Sequence, residues 1–262
     1  MSTGNATVII AYDSAPEQFG ELSVPDGAGP HPVLAFLHGG FWRARYDLAY
    51  ARPLCAMLAA QGIATWNLEY RRVGQQGGGW PGTLHDVATG IDHLRVLARQ
   101  HPLDLARVVT MGHSAGGHLA LWVAARHRLP PNHPFAGDDP LPIYAAVSLA
   151  GVTDLRMGAH MRLGNGAVQD FLGGEPSGVP ERYDVASPRE LLPLSVRQVL
   201  IHGADDEVVP SVLSTSYHAA ALSAGDVVSL HVLPGVEHFA PVEPQTAAWA
   251  SVMQLVQTII NR

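Results

Sequence analysis

Arg107-Val108-Val109-Thr110-Met111-Gly112-His113-Ser114-Ala115-Gly116-Gly117-His118 is the stretch that decides how this chain folds. Val108 to Met111 is short, apolar and partly β-branched, as a strand buried in a sheet would be. From Gly117 to Arg126 the chain is rich in alanine and leucine, which predicts a helix packed closely on that sheet. Between them stands Gly-x-Ser-x-Gly. Glycines on both sides of Ser114 permit a tight strand-to-helix turn that a Cβ would obstruct. Such a turn lifts the hydroxyl off the sheet edge and aims the first helical N–H groups at the same space. The pentapeptide alone is common; its place between this strand and this helix marks Ser114 as a nucleophile.

Working outward, strand-like and helix-like runs alternate from about residue 33 to the end. Strands are predicted at Pro32–Leu37, Ala64–Leu68, Val108–Met111, Ala145–Leu149, Gln198–Ile201 and Val227–Leu233. Leu84, Val87, Ile91, Leu94 and Leu97 recur at helical spacing, as do Ala248, Val252, Leu255, Val256 and Ile259, with Pro244 expected in the first turn of the last helix. This alternation predicts an α/β domain with a mostly parallel sheet of about eight strands and helices on both faces. The first thirty residues read as one or two antiparallel edge strands ending in the turn Pro25–Pro30. Residues 153–196 break the rhythm with prolines and glycines. They predict a small irregular lid over the sheet edge, the alternative being a solvated excursion.

Bulk properties narrow the partners. At 262 residues and 47% hydrophobic, the chain is most simply one domain spanning residues 1–262. A net charge of -7 without Lys/Arg runs argues against nucleic acid or an anionic membrane as the partner. No stretch reaches the roughly 18 apolar residues of a membrane span. Met1–Asn5 lacks the basic start of a secretory signal, and Cys55 is the only cysteine, so the expected compartment is a reducing cytoplasm.

A serine hydroxyl needs a histidine to take its proton and an acid to orient that histidine. In the order Ser…Asp…His both should follow later strands. After Gln198–Ile201 comes His202-Gly203-Ala204-Asp205-Asp206-Glu207-Val208-Val209-Pro210. Asp206, third after Gly203 with Val209 and Pro210 behind it, fits as the acid; Asp205 and Glu207 read as solvated turn charges. Of fourteen histidines, only His238 follows the last strand in a short loop, which makes it the base. His38 and His113 read as structural groups beside motifs, and His202 as too close to the acid loop to face it. An oxyanion needs preorganised N–H donors. Ala115 would supply one, and Gly39, Gly40 and Phe41, in the loop after Pro32–Leu37, the others. Phe41, Trp42 and His113 are the candidate pocket walls.

These residues resemble the α/β-hydrolase superfamily, in particular its hormone-sensitive-lipase-like and kynurenine-formamidase-like serine hydrolases. The resemblance covers about residues 30–262, anchored on His38-Gly39-Gly40-Phe41-Trp42, Gly112–His118, Asp206 with Val209-Pro210, and His238-Phe239. Trp80-Pro81, ahead of a helix, also looks like this group. It implies an α/β-hydrolase fold and a carboxylesterase or arylformamidase acting on a small ester or amide, with no metal and no organic cofactor. Lipase-like members usually carry a third glycine where Phe41 stands, so the ring is expected to narrow the acyl side, and the lack of a long N-terminal cap predicts an open pocket with a short-acyl preference. A small-peptide hydrolase and a catalytically silent binding fold are the remaining alternatives.

Two further motifs need placing. Gly77-Gly78-Gly79-Trp80-Pro81-Gly82 matches a dinucleotide-binding pattern, but no acid closes the strand that follows. Trp80 and Pro81 suit a packed helix entry better. Arg71 and Arg72 read as surface arginines, with a substrate carboxylate as their alternative partner.

Overall fold

The computed structural model describes residues 7–261, and eight strands among them form one sheet. In chain order these are β1 Thr7–Ala11, β2 Phe19–Ser23, β3 His31–Leu37, β4 Ala64–Leu68, β5 Leu103–His113, β6 Ala145–Leu149, β7 Arg197–Gly203 and β8 Val228–Leu233. Their order across the sheet is β1-β2-β4-β3-β5-β6-β7-β8. β3 to β8 run parallel, and β2 pairs antiparallel with both β1 and β4. The antiparallel N-terminal edge and the parallel remainder are as the sequence predicts. The reading of Met1–Asn5 lies outside the described residues.

Nine helices surround this sheet among the described residues: α1 Arg52–Ala59, α2 Gly82–Asp92, α3 Leu94–Leu97, α4 Ala115–Ala124, α5 Leu155–His160, α6 Leu163–Leu172, α7 Pro180–Ala186, α8 Val212–Ser223 and α9 Ala247–Ile260. Strand alternation divides the core in two. Leu34 and Phe36 of β3, with Val109 and Met111 of β5, face Leu54 and Leu58 of α1 and Trp249, Val252 and Val256 of α9. Val33, Ala35 and Leu37 join the opposite layer, with Leu84, Val87 and Ile91 of α2 and Leu119 of α4. Every residue of α4 is buried, since the sheet covers one side and later helices the other. α9 starts one turn later than expected: Thr246 caps it, its Oγ1 accepting from Trp249 N at 3.0 Å, and Pro244 precedes the cap.

Residues 153–196 are more helical than expected, although Gly164, Asn165 and Gly166 near the start of α6 are left-handed rather than helical. They fold into α5, α6, α7 and a short 3-10 turn at Pro188–Leu191, and they bury Leu155, Val168, Phe171, Leu172 and Tyr183. Helices of six to ten residues hold too few turns to show a clear period, and packing rather than propensity sustains them. Arg71 and Arg72 also differ from the expectation. Arg71 forks onto buried Asp86 through Nε (2.8 Å) and Nη2 (2.7 Å), while Arg72 is buried 3.3 Å from Glu69. In the glycine run, a Cβ on Gly78 would overlap the Arg72 backbone, so close chain packing explains it without a ligand.

Register sets up the site. Leu37 pairs with Gly112, His113 with Leu149, Leu149 with Ile201, and Gly203 with Leu233. The loops that follow β3, β5, β7 and β8 therefore leave one edge of the sheet together, where open α/β sheets build their sites.

Candidate active site

Ser114 occupies the turn from β5 to α4 with φ 56° and ψ -120°, a backbone state rare outside glycine. Its surroundings require it. A Cβ on Gly112 would overlap Gly116 O, and one on Gly116 would overlap Leu37 O. Ser114 N donates to Leu149 O at 2.8 Å, tying the turn to the neighbouring strand. Ala115 is the first residue of α4, so its N–H has no acceptor within the helix.

Opposite lies the loop after β3. Gly40, Phe41 and Trp42 all have positive φ (113°, 53° and 54°). Gly40 and Phe41 donate their N–H groups to no protein acceptor among the described residues. Gly39 closes against Ser114: a Cβ there would stand 2.8 Å from His113 O and 3.1 Å from Ser114 Cβ. Its N–H is not free, because it donates to Tyr50 Oη at 2.7 Å. Gly39 thus serves by close approach, and the unengaged donors belong to Gly40, Phe41 and Ala115. Successive left-handed residues send successive side chains apart, so Phe41 faces the cavity and Trp42 turns into the core. Trp42 is fully buried and stacked on Phe171 (4.6 Å, 10°), not a pocket wall.

Asp206 is the one carboxylate of its run that the fold turns inward. It is buried, while Asp205 and Glu207 are exposed. Oδ1 accepts from Val208 N (2.9 Å) and Val209 N (2.8 Å), and Oδ2 accepts from His238 Nδ1 at 2.6 Å. Contrary to the sequence expectation, His202 does face the acid. Its Nε2 lies 3.2 Å from Asp206 Oδ2 and 2.7 Å from Val209 O, while Nδ1 meets Ser214 Oγ at 2.7 Å. The i,i+4 loop curls back over the strand end, a geometry that spacing alone does not reveal. Burial pushes the Asp206 carboxyl up, but the hydrogen bonds from His202 and His238, the histidine charge and the Val209 N–H outweigh it and hold the group well below the usual carboxylate range. It is therefore a carboxylate that keeps the His238 Nδ1 proton in place and leaves Nε2 to the cavity.

His113 completes the setting. Nε2 donates to His238 O at 2.9 Å, and its ring lies 4.6 Å from the His238 ring. Burial, with nearby His238, pushes its pKa down to about 3, so it stays neutral and fixes the base loop. A cavity of about 530 Å³ joins these parts, lined by Gly39, Gly40, Phe41, Tyr46, Tyr50, His113, Ser114, Val208, His238, Phe239, Val242 and Glu243. Tyr46, Tyr50, Val242 and Glu243 carry no motif spacing and were not predicted. None of the lining residues comes from 153–196. That insertion acts at one remove, setting Gly164 against the Phe41 ring and Phe171 against Trp42.

The BD-FAE family model matches residues 22–221. The chain belongs to the BD-FAE family. Among curated relatives of this BD-FAE chain, a probable isoprenylcysteine alpha-carbonyl methylesterase ICME of Oryza sativa subsp. japonica is 27% identical over 241 residues, 87% of this chain and 57% of that protein. Esterase LipQ of Mycobacterium tuberculosis is 27% identical over 214 residues, 79% of this chain and 50% of that protein. The chain spans about half the length of these relatives. Among solved structures, a truncated carbohydrate esterase from gut microbiota superposes with a TM-score of 0.81 at 19% identity, covering 99% of this chain and 98% of that one. The thermophilic esterase Est2 of Thermogutta terrifontis, with propionate bound, gives 0.78 at 21% identity, covering 99% and 94%. The architecture is the α/β-hydrolase fold. Among the described residues, no helix is long and apolar enough to cross a membrane, and no three His, Cys, Asp or Glu side chains group as metal ligands.

Proposed function

We propose that this BD-FAE chain is a serine hydrolase that cleaves carboxylic esters of small or short-chain acids through an acyl-enzyme on Ser114. One observation carries the reading: the 2.6 Å His238–Asp206 bond opens onto the same cavity as Ser114 and the unengaged N–H groups of Gly40 and Phe41. The names of the curated relatives, esterases and a methylesterase, support ester over amide chemistry.

In the proposed sequence of steps, Ser114 and His238 act across the cavity they share. His238 Nε2 takes the Ser114 proton as Oγ bonds to the ester carbon, and the carbonyl electrons move to oxygen. Asp206 keeps the imidazole oriented and offsets its positive charge. Gly40, Phe41 and Ala115 N–H groups receive the oxyanion. As the carbonyl re-forms, the carbon–alkoxy bond breaks and His238 gives its proton to the leaving alcohol. Water, deprotonated by His238, then releases the acid. Phe41 closes one wall, which favours short acyl chains, and Est2 holding propionate fits that size. The setting proposed for this work is a reducing cytoplasm, which the single buried Cys55 suits.

The test is direct. A fluorophosphonate should label the native chain at Ser114, and Ser114→Ala should abolish both labelling and turnover of p-nitrophenyl esters. Hydrolysis should be highest for chains of about two to four carbons and drop steeply beyond about eight. No adduct on folded protein would sink the mechanism, and a preference for long chains would sink the short-pocket argument.

A further inference from the structure

Tyr50 carries no motif, yet it lines the cavity beside His113 and Gly39. It sits in the 3-10 turn Leu48–Ala51, just ahead of α1. Its ring meets Phe36 edge-on (6.4 Å, 82°) and His113 likewise (6.2 Å, 80°), which fixes the direction of the phenol. Oη accepts the Gly39 N–H at 2.7 Å. That bond removes one of the backbone donors the Gly-Gly loop would otherwise present. A hydroxyl that accepts one hydrogen bond still has its own proton to give. No protein acceptor takes it among the described residues. Accepting from Gly39 also polarises the O–H and strengthens it as a donor. The Gly39 backbone packs against the nucleophile, a Cβ there falling 3.1 Å from Ser114 Cβ. The phenol, one hydrogen bond away from Gly39, lines the same cavity as Ser114.

We infer that the Tyr50 hydroxyl replaces Gly39 N–H as a donor to the carbonyl oxygen of the bound ester, so that backbone N–H groups and one side-chain O–H together hold the oxyanion. The inference rests on the esterase reading above. A donor aimed at this oxygen gains strength as charge develops on it, so its loss lowers kcat more than it raises KM. Tyr50 is 36% exposed as a residue, yet desolvation of its phenol, opposed in part by the Gly39 bond, holds the group above the ordinary tyrosine value, which keeps it a donor at neutral pH.

Two variants of the full chain test this. With an acetyl ester, Tyr50→Phe should lower kcat/KM about 10- to 100-fold while KM stays within about threefold. Affinity for a trifluoromethyl ketone, which forms a tetrahedral adduct on serine, should fall by the same factor. Incorporating a trifluorinated tyrosine at position 50 preserves the ring and the Gly39 bond but makes the phenol more acidic. Its pH profile should gain an alkaline loss of kcat/KM that the native chain lacks, because a phenolate cannot donate. Tyr50→Phe activity within about twofold of native, or a fluorinated chain with the native pH profile, overturns the inference and leaves Tyr50 as a brace for the loop. If Tyr50→Phe fails to fold, the fluorinated chain alone decides. A native chain that neither turns over esters nor labels at Ser114 overturns the esterase reading; native turnover with a silent Tyr50 overturns only this step.

Discussion

Replacing His118 with phenylalanine should flatten the acid side of the stability profile. His118 is fully buried in α4, with Nε2 2.8 Å from Ala186 O and its ring edge-on to Trp42 (5.2 Å, 85°) and Phe171 (5.7 Å, 77°). A carbonyl only accepts, so Nε2 carries the proton, and Nδ1 has no partner. Burial lowers the pKa of the ring from 6.5 to about 4. Below about 6.5 the unfolded chain binds a proton here that the folded chain refuses until near 4, so acid favours unfolding. The ring's contribution is complete above that window, erodes as pH falls through it, and changes no further below it. At pH 5 the erosion amounts to about 2 kcal/mol. Phenylalanine keeps the edge-on packing and cannot titrate. Denaturant unfolding at pH 7.5 and pH 5 should therefore show the native chain losing about 2 kcal/mol more than His118→Phe. The lost bond to Ala186 weakens the variant equally at both pH values, and His113 titrates in both chains, so neither alters the difference. Parallel losses in the two chains would refute the reasoning.

Gly116→Ala should cost more than about 3 kcal/mol, since its Cβ would overlap Leu37 O and His38 O and the backbone there has no room to yield; a thermal midpoint near native contradicts this. Phe41→Ala should raise activity on eight-carbon esters relative to four-carbon ones with little change in stability, as read from kcat/KM across the series. Trp42→Ala should lose about 3–5 kcal/mol by denaturant unfolding and, by freeing the loop that carries Phe41, should also relax the chain-length preference in the same kcat/KM series. Asp206→Asn should leave the fold intact and lower kcat by about 10⁴-fold, because an amide no longer holds the His238 tautomer; retention of even a tenth of native kcat removes Asp206 from the mechanism.

Much of this fold was legible because its strands are continuous apolar runs buried on both faces, as in Ala145–Leu149, and such runs stand out from their turns. Ser114, Asp206 and His238 were legible for a related reason: each follows a strand end, and parallel register gathers those ends. What escaped depends on partners distant in sequence. Arg71 is drawn inward only because Asp86 meets it fifteen positions on, and Arg72 is buried only because Glu69 lies beside it. Tyr50 and Glu243 reach the cavity through the path of the chain, and no residue pattern encodes that path. The helices α5 to α7 were hidden by their shortness and their glycines.

Trp42 was expected in the pocket wall and lies behind it, and that displacement explains what the insertion does. Residues 40–42 hold three consecutive positive φ values, two of them on bulky side chains, at a cost of about 1–3 kcal/mol each for such backbone strain. The conformation persists because it is fastened from outside the loop. Trp42 is stacked on Phe171 of α6 and met edge-on by His118, and its carbonyl accepts from Val73 N at 2.8 Å. Released from that clamp, the loop would relax toward ordinary backbone angles, turning the Gly40 and Phe41 N–H groups and the Phe41 ring out of the cavity. The insertion contributes no lining residue, yet it holds the conformation that turns the unengaged N–H groups of Gly40 and Phe41 and the Phe41 ring toward the cavity, the groups proposed to bind the oxyanion and the acyl chain. Selectivity on this scaffold is therefore adjustable from α6, about 130 positions further along the chain, by substitutions that touch no substrate.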